Sequence, residues 1–370
     1  MPYPYCNYIF ADYNIRVSNK EKIKRILKNG GLFGILLFMT YLMVFRQASV
    51  EGMARALASV NPVYIILGSI TMFSALLFEG VNIRIGLSTL GYRISPLRGL
   101  RYALTGFFFS AITPSSTGGQ PVQVVAMYRD GIEPPEATAA LLLQLLSYES
   151  VMVLLSLTGF FTQQSYLAEA AGRGRWLMLI GIAMNALVVF LISVSMLSNK
   201  ALGVYKRIVE WVTSKIKRDN MESLTRRIEH EMDNYFEGAK YFYGNYPLLA
   251  KVFACSFMQI LLMFTMPFIV YRSFGLSGTP YIRVLLIQAV LYNSISFLPI
   301  PGAVGSSEGM FYLLFHSIFT NKLVGMAMLL SRTLSFYMWV AIGGITVFIS
   351  SSLQHARRIL KDKKQDQHTG

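Results

Sequence analysis

The sequence predicts an all-α polytopic membrane protein, with six continuous spans and two broken or re-entrant helix pairs of opposite orientation, an arrangement compatible with an inverted repeat. Three observations predict it. Of the 370 residues, 54% are hydrophobic and only 14% charged, where a soluble domain of this size carries about a quarter charged residues. The charges gather in blocks and leave apolar stretches between them, several near the roughly 20 residues a helix needs to cross the hydrocarbon core. Two further apolar stretches are interrupted by clusters of proline, glycine and serine. Irregular backbone at membrane depth survives only where protein or a polar cavity surrounds it.

The N-terminal segment 1–28 is aromatic and then basic, with Lys20, Lys22, Lys24, Arg25 and Lys28 before the first apolar run, 32–45. It has no apolar core beside a small-residue cleavage site, so no cleaved signal peptide is expected. The basic flank places this terminus on the cytoplasmic side. The second span, 62–87, is followed by Arg93, Arg98 and Arg101, again basic. Arg84 and Arg101 are expected to snorkel to that interface. Further spans cover 136–161, 176–197, 247–271 and 323–350, and the tail 352–370 carries Arg357, Arg358, Lys361, Lys363 and Lys364. Both termini therefore read as cytoplasmic.

The first membrane half, 29–198, contains the broken stretch 102–128, interrupted at Thr113, Pro114, Ser115, Ser116, Thr117, Gly118, Gly119, Gln120 and Pro121. The second half, 247–351, contains the broken stretch 281–319, interrupted at Pro299, Ile300, Pro301, Gly302, Ala303, Val304, Gly305, Ser306, Ser307, Glu308 and Gly309. Proline removes a donor and ends helices, and glycine admits turns. Six continuous spans already return both termini to one side, so each broken stretch must cross an even number of times. The first then enters from the cytoplasm and the second from outside, a feature of inverted-repeat transporters.

Between the halves lies a connector, 199–246, where Ile208, Trp211, Val212 and Ile216 recur at helical spacing beside Lys206, Arg207, Lys215, Lys217 and Arg218. It reads as a cytoplasmic helical connector or as a helix lying on an anionic membrane surface. It is too short for a catalytic domain.

The net charge of +15 reflects these cytoplasmic flanks and not a nucleic-acid partner, since no recognition module is visible. Cys6 and Cys255 cannot build a disulfide framework, and His230, His316 and His355 show no ligand spacing. No metal or other cofactor is expected. No catalytic residue is expected either: Ser115 and Ser116 lack triad partners, and Gly118-Gly119 lacks the Lys-Ser/Thr ending of a phosphate-cradling loop.

Ionisable groups inside spans are costly and mark function by default. Glu79, Glu149, Glu308 and Arg332 are such groups, and for Glu79, Glu149 and Arg332 a structural ion pair or polar helix contact is the alternative. Helices that end at membrane depth aim unpaired amides or carbonyls at whatever lies between them. Amide ends favour an anion such as a phosphate. Ser115, Ser116, Thr117 and Gln120 add neutral hydrogen-bonding groups, and Glu308 adds a carboxylate.

The run from Thr113 to Gln123, followed far downstream by the run from Leu298 to Gly309, resembles the lysylphosphatidylglycerol synthase transmembrane family. This is the flippase-like membrane domain of the bacterial multiple peptide resistance factor and its stand-alone relatives. The resemblance covers nearly the whole chain. It implies a translocator in a bacterial plasma membrane that moves aminoacylated phosphatidylglycerol, or another polar-headed lipid, between leaflets. A separate aminoacyltransferase would make that lipid, since only a short basic tail follows Ser350 and the soluble synthase domain is expected to be absent. On this reading Thr113, Pro114, Ser115, Ser116, Thr117, Gly118, Gly119 and Gln120 with Pro299, Pro301, Gly302 and Gly305 shape the lipid site. Glu308, with Glu149 or Glu79 behind it, would compensate a cationic headgroup, and Arg332 would meet a carboxylate or a lipid phosphate. Relatives commonly carry a basic residue just before the glutamate; this chain has Ser307, so no Arg–Glu pair is expected from that neighbour. The other readings are a phosphatidylglycerol lysyltransferase and a secondary transporter of a small polar solute.

Overall fold

The computed structural model describes residues 60–113, 116–197, 242, 244–296, 303 and 305–350. The expected first span, most of the connector and the basic tail lie outside these residues. Among the described residues every regular element is helical, and five apolar helices are long enough to cross a membrane.

Helix α1, Pro62–Thr89, starts where Asn61 accepts a hydrogen bond from the Val63 amide and Pro62 takes a position whose N–H would be unpaired. The same logic starts α2, Pro96–Ile112, at Ser95. After the first break, α3 runs Gly119–Arg129. The second long span is α4, Pro134–Thr162, followed by a short helix α5, Gln164–Ala171, a 3-10 turn, and α6, Arg175–Leu197. The second half opens with α7, Tyr246–Ser273, capped by Asn245. Then come α8, Tyr281–Ile295, the second break, and α9, Ser306–Arg332. Helix α9 is interrupted at Thr320, whose φ of 64° is not helical, and the last apolar run, Lys322–Ser350, passes through a π-helical turn, Thr333–Tyr337. Each continuous span expected from the described sequence is therefore present, with ends shifted by a few residues.

The outward faces are apolar: Ile66, Leu67 and Ile70 on α1, Leu177, Ile180, Leu187 and Leu191 on α6, and Ile345, Phe348 and Ile349 on the last span are all exposed. Soluble proteins rarely leave such stripes bare, whereas hydrocarbon solvates them at no cost. Inside, apolar burial between helices gives little drive when lipid is the solvent, so close packing and polar contacts hold the bundle. At the α1–α2 crossing a Cβ on Gly80 would stand 2.7 Å from the Gly99 carbonyl carbon, so only paired glycines permit this approach. Asn82 of α1 donates to Ser256 of α7 at 2.8 Å, and Ser256 meets Ser147 of α4 at 2.7 Å; all three are buried. A second buried knot joins Asn185 of α6, Asn293 of α8 and Ser156 of α4.

The first broken stretch is a hairpin. Helix α2 has 17 residues and α3 only 11, so at 1.5 Å per residue they reach about 25 and about 16 Å, short of a core about 30 Å thick. Their outer ends are clasped. Asp130, just past α3, pairs with Arg101 and accepts from the Tyr102 hydroxyl, both near the start of α2. The Tyr92 hydroxyl accepts from the Glu133 amide, so the chain leaves the hairpin beside the place where it entered. Arg101, expected merely to snorkel, instead closes this hairpin.

Candidate site between the two broken helix pairs

Thr113 builds the tip of the hairpin. Its hydroxyl donates to the Phe109 carbonyl at 2.7 Å and accepts from the Gly118 amide at 2.9 Å. Its carbonyl accepts from the Ser116 amide. Ser116 is held at a φ of 56°, a region costly for a side chain with a Cβ. Gly119 is buried against α2, where a Cβ would come within 2.8 Å of the Gly106 carbonyl oxygen. Ser116 and Thr117 face outward, while Gly118 and Gln120 are half-buried. Pro114 and Ser115 lie outside the described residues.

Farther down the hairpin, the buried Gln123 amide donates to the Tyr102 carbonyl at 3.1 Å and reaches the Glu79 carboxylate of α1. Gln259 of α7 donates to the same carboxylate at 3.2 Å. Glu79 is thus held by two neutral amides, one from the hairpin and one from a continuous span.

At the second break, Gly305 has a φ of 89° and Ala303 a φ of 50°. Pro299, Pro301 and Gly302 lie outside the described residues. Helix α9 begins with its own carboxylate folded back: Glu308 Oε2 accepts from the Gly305 amide at 2.6 Å and from the Ser307 hydroxyl at 2.8 Å. This satisfies one of the amides that a helix start leaves unpaired. The other oxygen, Oε1, accepts from Arg332 Nε at 3.1 Å and from the Tyr337 hydroxyl at 3.3 Å. An Arg–Glu pair exists here after all, with its cation supplied from the last span in place of residue 307. The Arg332 guanidinium also lies 4.2 Å from the centre of the Phe336 ring, a stacked position in which arginine is favoured.

A cavity of about 50 Å³ adjoins this pair, room for a few water molecules. Ser307 and Phe311 of α9, Gln288 and Tyr292 of α8, Ser331, Arg332 and Ser335 of the last span, and Phe107 of α2 line it. Residues of both broken pairs therefore meet at one place inside the bundle. Two polar atoms in this region, Gln288 Oε1 and Ser331 Oγ, are buried without a hydrogen-bond partner among the described residues. Unsatisfied polar atoms in an apolar surround are expensive, and two on the lining of one cavity suit a polar guest. A π-helical turn begins directly after Arg332; such turns re-aim side chains and recur at functional places.

The motif of the first break does not line this cavity; α2 contributes Phe107 and the hairpin reaches inward through Gln123. Glu149 of α4 stands apart as well, with Oε2 buried and unpartnered among the described residues. Tyr292 connects the parts, since it lines the cavity and lies within electrostatic range of Arg332, Glu149 and Glu79. Gln259, Gln288, Ser331 and Tyr337 were not singled out in the sequence, and Gln123 stood there only as the end of the first motif.

A family model for the transmembrane region of lysylphosphatidylglycerol synthase matches residues 30–343, a stretch that takes in both breaks and every residue of the site. The chain belongs to that family. It is a multi-pass membrane protein, as the five apolar spans require. A relative from Archaeoglobus fulgidus, described as a UPF0104 membrane protein, is 19% identical over 311 residues, covering 82% of this chain and 92% of its own.

Proposed function

We propose that this protein moves a polar-headed phospholipid between leaflets, an aminoacylated phosphatidylglycerol or a lipid with a similar headgroup. The observation that carries the reading is the Arg332–Glu308 pair at a cavity lined from both broken helix pairs. A lipid headgroup crossing the bilayer must exchange its hydration for fixed polar groups, while its acyl chains remain in hydrocarbon. Arg332 supplies a planar cation suited to phosphate, with Ser331, Ser307 and Gln288 as neutral partners. Glu308 positions Arg332 and gives up that bond when phosphate takes its place. Glu149 and Glu79 answer the positive charge of an aminoacyl group. The tip residues Thr113, Ser116, Thr117, Gly118, Gly119 and Gln120 guide the phosphoglycerol part at the entrance to the hairpin. The cavity is too small for a headgroup, so translocation requires the broken helices to part.

The clasp between Arg101 and Asp130 supports a re-entrant hairpin, and the charge pattern of the loops supports its entry from the cytoplasm with the second pair opposed to it. An inverted repeat, and a separate enzyme that charges the lipid, belong to the same reading.

Native mass spectrometry of the purified protein tests it directly. Lysyl-phosphatidylglycerol should remain bound through delipidation, and Arg332→Gln should weaken that binding at least tenfold. Retention of no lipid, with binding of a soluble amino acid instead, would transfer the reading to a solute transporter.

A further inference from the structure

Glu149 lies near the middle of α4, Pro134–Thr162. Its Oε2 is buried and has no hydrogen-bond partner among the described residues, and no salt bridge includes it there. The charged and titratable groups that share its surroundings are Tyr148 of its own helix, Glu79 of α1, Tyr292 of α8 and, across Tyr292, Arg332 of the last span. Helices α3 and α7 contribute the neutral amides Gln123 and Gln259, both engaged at Glu79. Arg332, the cation of this group, pairs with Glu308. An ionised carboxylate oxygen withdrawn from water without a cation or donor is disfavoured. Among the described residues no cation or donor engages Glu149, so its carboxyl is free to take up a proton.

We infer that Glu149 exchanges this proton for the ammonium group of the transported headgroup, so that lipid movement is coupled to proton movement in the opposite direction. The inference rests on the lipid reading above. One carboxylate can compensate one positive charge, and the two occupants exclude each other. When the ammonium group arrives, Glu149 ionises and its proton leaves to the open side. When the headgroup departs on the other side, a proton taken up there restores the neutral acid. The bond broken and remade is the carboxyl O–H, and no other reactant is needed. Intramembrane carboxylates serve as proton relays in transporters on the same physical grounds.

The test is flipping of fluorescent lysyl-phosphatidylglycerol in vesicles of phosphatidylglycerol and phosphatidylethanolamine holding the full-length protein, with a pH-sensitive dye inside. Under a one-unit pH difference, one-for-one exchange should enrich the labelled lipid about tenfold in the leaflet facing the acidic side. The dye should report protons moving the other way. Glu149→Gln should abolish the enrichment, and Glu149→Asp should retain it. Flipping by the wild-type protein with a leaflet ratio indifferent to the pH difference would overturn the inference and leave the lipid reading standing. Absence of flipping for any lipid by folded protein would overturn both. The wild-type result decides without relying on the folding of a variant.

Discussion

Arg332 Nε lies 3.1 Å from Glu308 Oε1, tying the last membrane span to the first turn of the helix that follows the second break. The two side chains are 15% and 11% exposed, so the pair is largely withdrawn from solvent. Glu308 is also bound to the Gly305 amide, which makes the carboxylate a three-way joint between break, helix start and span.

Removing one partner of a buried ion pair leaves an uncompensated charge, at a cost of roughly 3–5 kcal/mol. Glu308→Ala should therefore lower the thermal midpoint in detergent sharply, and Glu308→Gln less, since an amide oxygen can still accept from Gly305. The double variant Glu308→Gln with Arg332→Met should be more stable than the sum of the single changes predicts, which a double-mutant cycle reads directly. Glu308→Gln should also reduce transport of a cationic lipid more than it reduces membrane insertion.

The α1–α2 crossing tolerates no side chain. A Cβ at Gly80 would stand 2.7 Å from backbone atoms of Gly99 and Leu100, so Gly80→Ala must push the helices apart. Overpacking of this kind costs about 1–3 kcal/mol. Gly91, which has open space around it and a φ of 90°, should respond only through its backbone. Thermal unfolding of the two alanine variants should separate steric from conformational loss.

The buried cluster of Asn82, Ser147 and Ser256 ties α1, α4 and α7 together. Asn82→Ala removes its central donor and should cost about 0.6–1.7 kcal/mol, the range of polar contacts between membrane helices. Lipid binding should be unchanged in the folded fraction. A selective loss of binding at unchanged stability would show that the cluster belongs to the site.

The hairpin clasp is a milder case, because the Arg101 side chain is 28% exposed. Asp130→Asn should cost on the order of 1 kcal/mol. Its effect should concentrate in faster amide hydrogen exchange along Gly119–Arg129, the short arm that the clasp holds down.

The helical spans and the two breaks were legible because hydropathy and helix-breaking residues are local. Thr113 and Gly118 end one helix and start the next by bonds within five residues, and such chemistry shows in the sequence. The partner of Glu308 did not show, because Arg332 lies 24 residues away and reaches it only after the chain bends at Thr320. Reading ionisable groups alone also passed over Gln123, Gln259 and Gln288. Their amides carry no charge penalty and so no sequence signal, yet they meet carboxylates or the cavity inside the bundle. The first motif read as a ligand for the same headgroup as the second. The Thr113 hydroxyl and the Gly118 and Ser116 amides also shape the hairpin tip, a role that depends on the turn of the backbone.

The measurement that bears most directly on the central claim is transbilayer movement of fluorescent lysyl-phosphatidylglycerol, beside plain phosphatidylglycerol, in proteoliposomes of the purified chain. The account predicts protein-dependent movement that favours the cationic lipid and falls at least tenfold in Arg332→Gln, with the variant still folded and inserted. Movement at the wild-type rate in Arg332→Gln, or no movement of any lipid by folded wild-type protein, would contradict it.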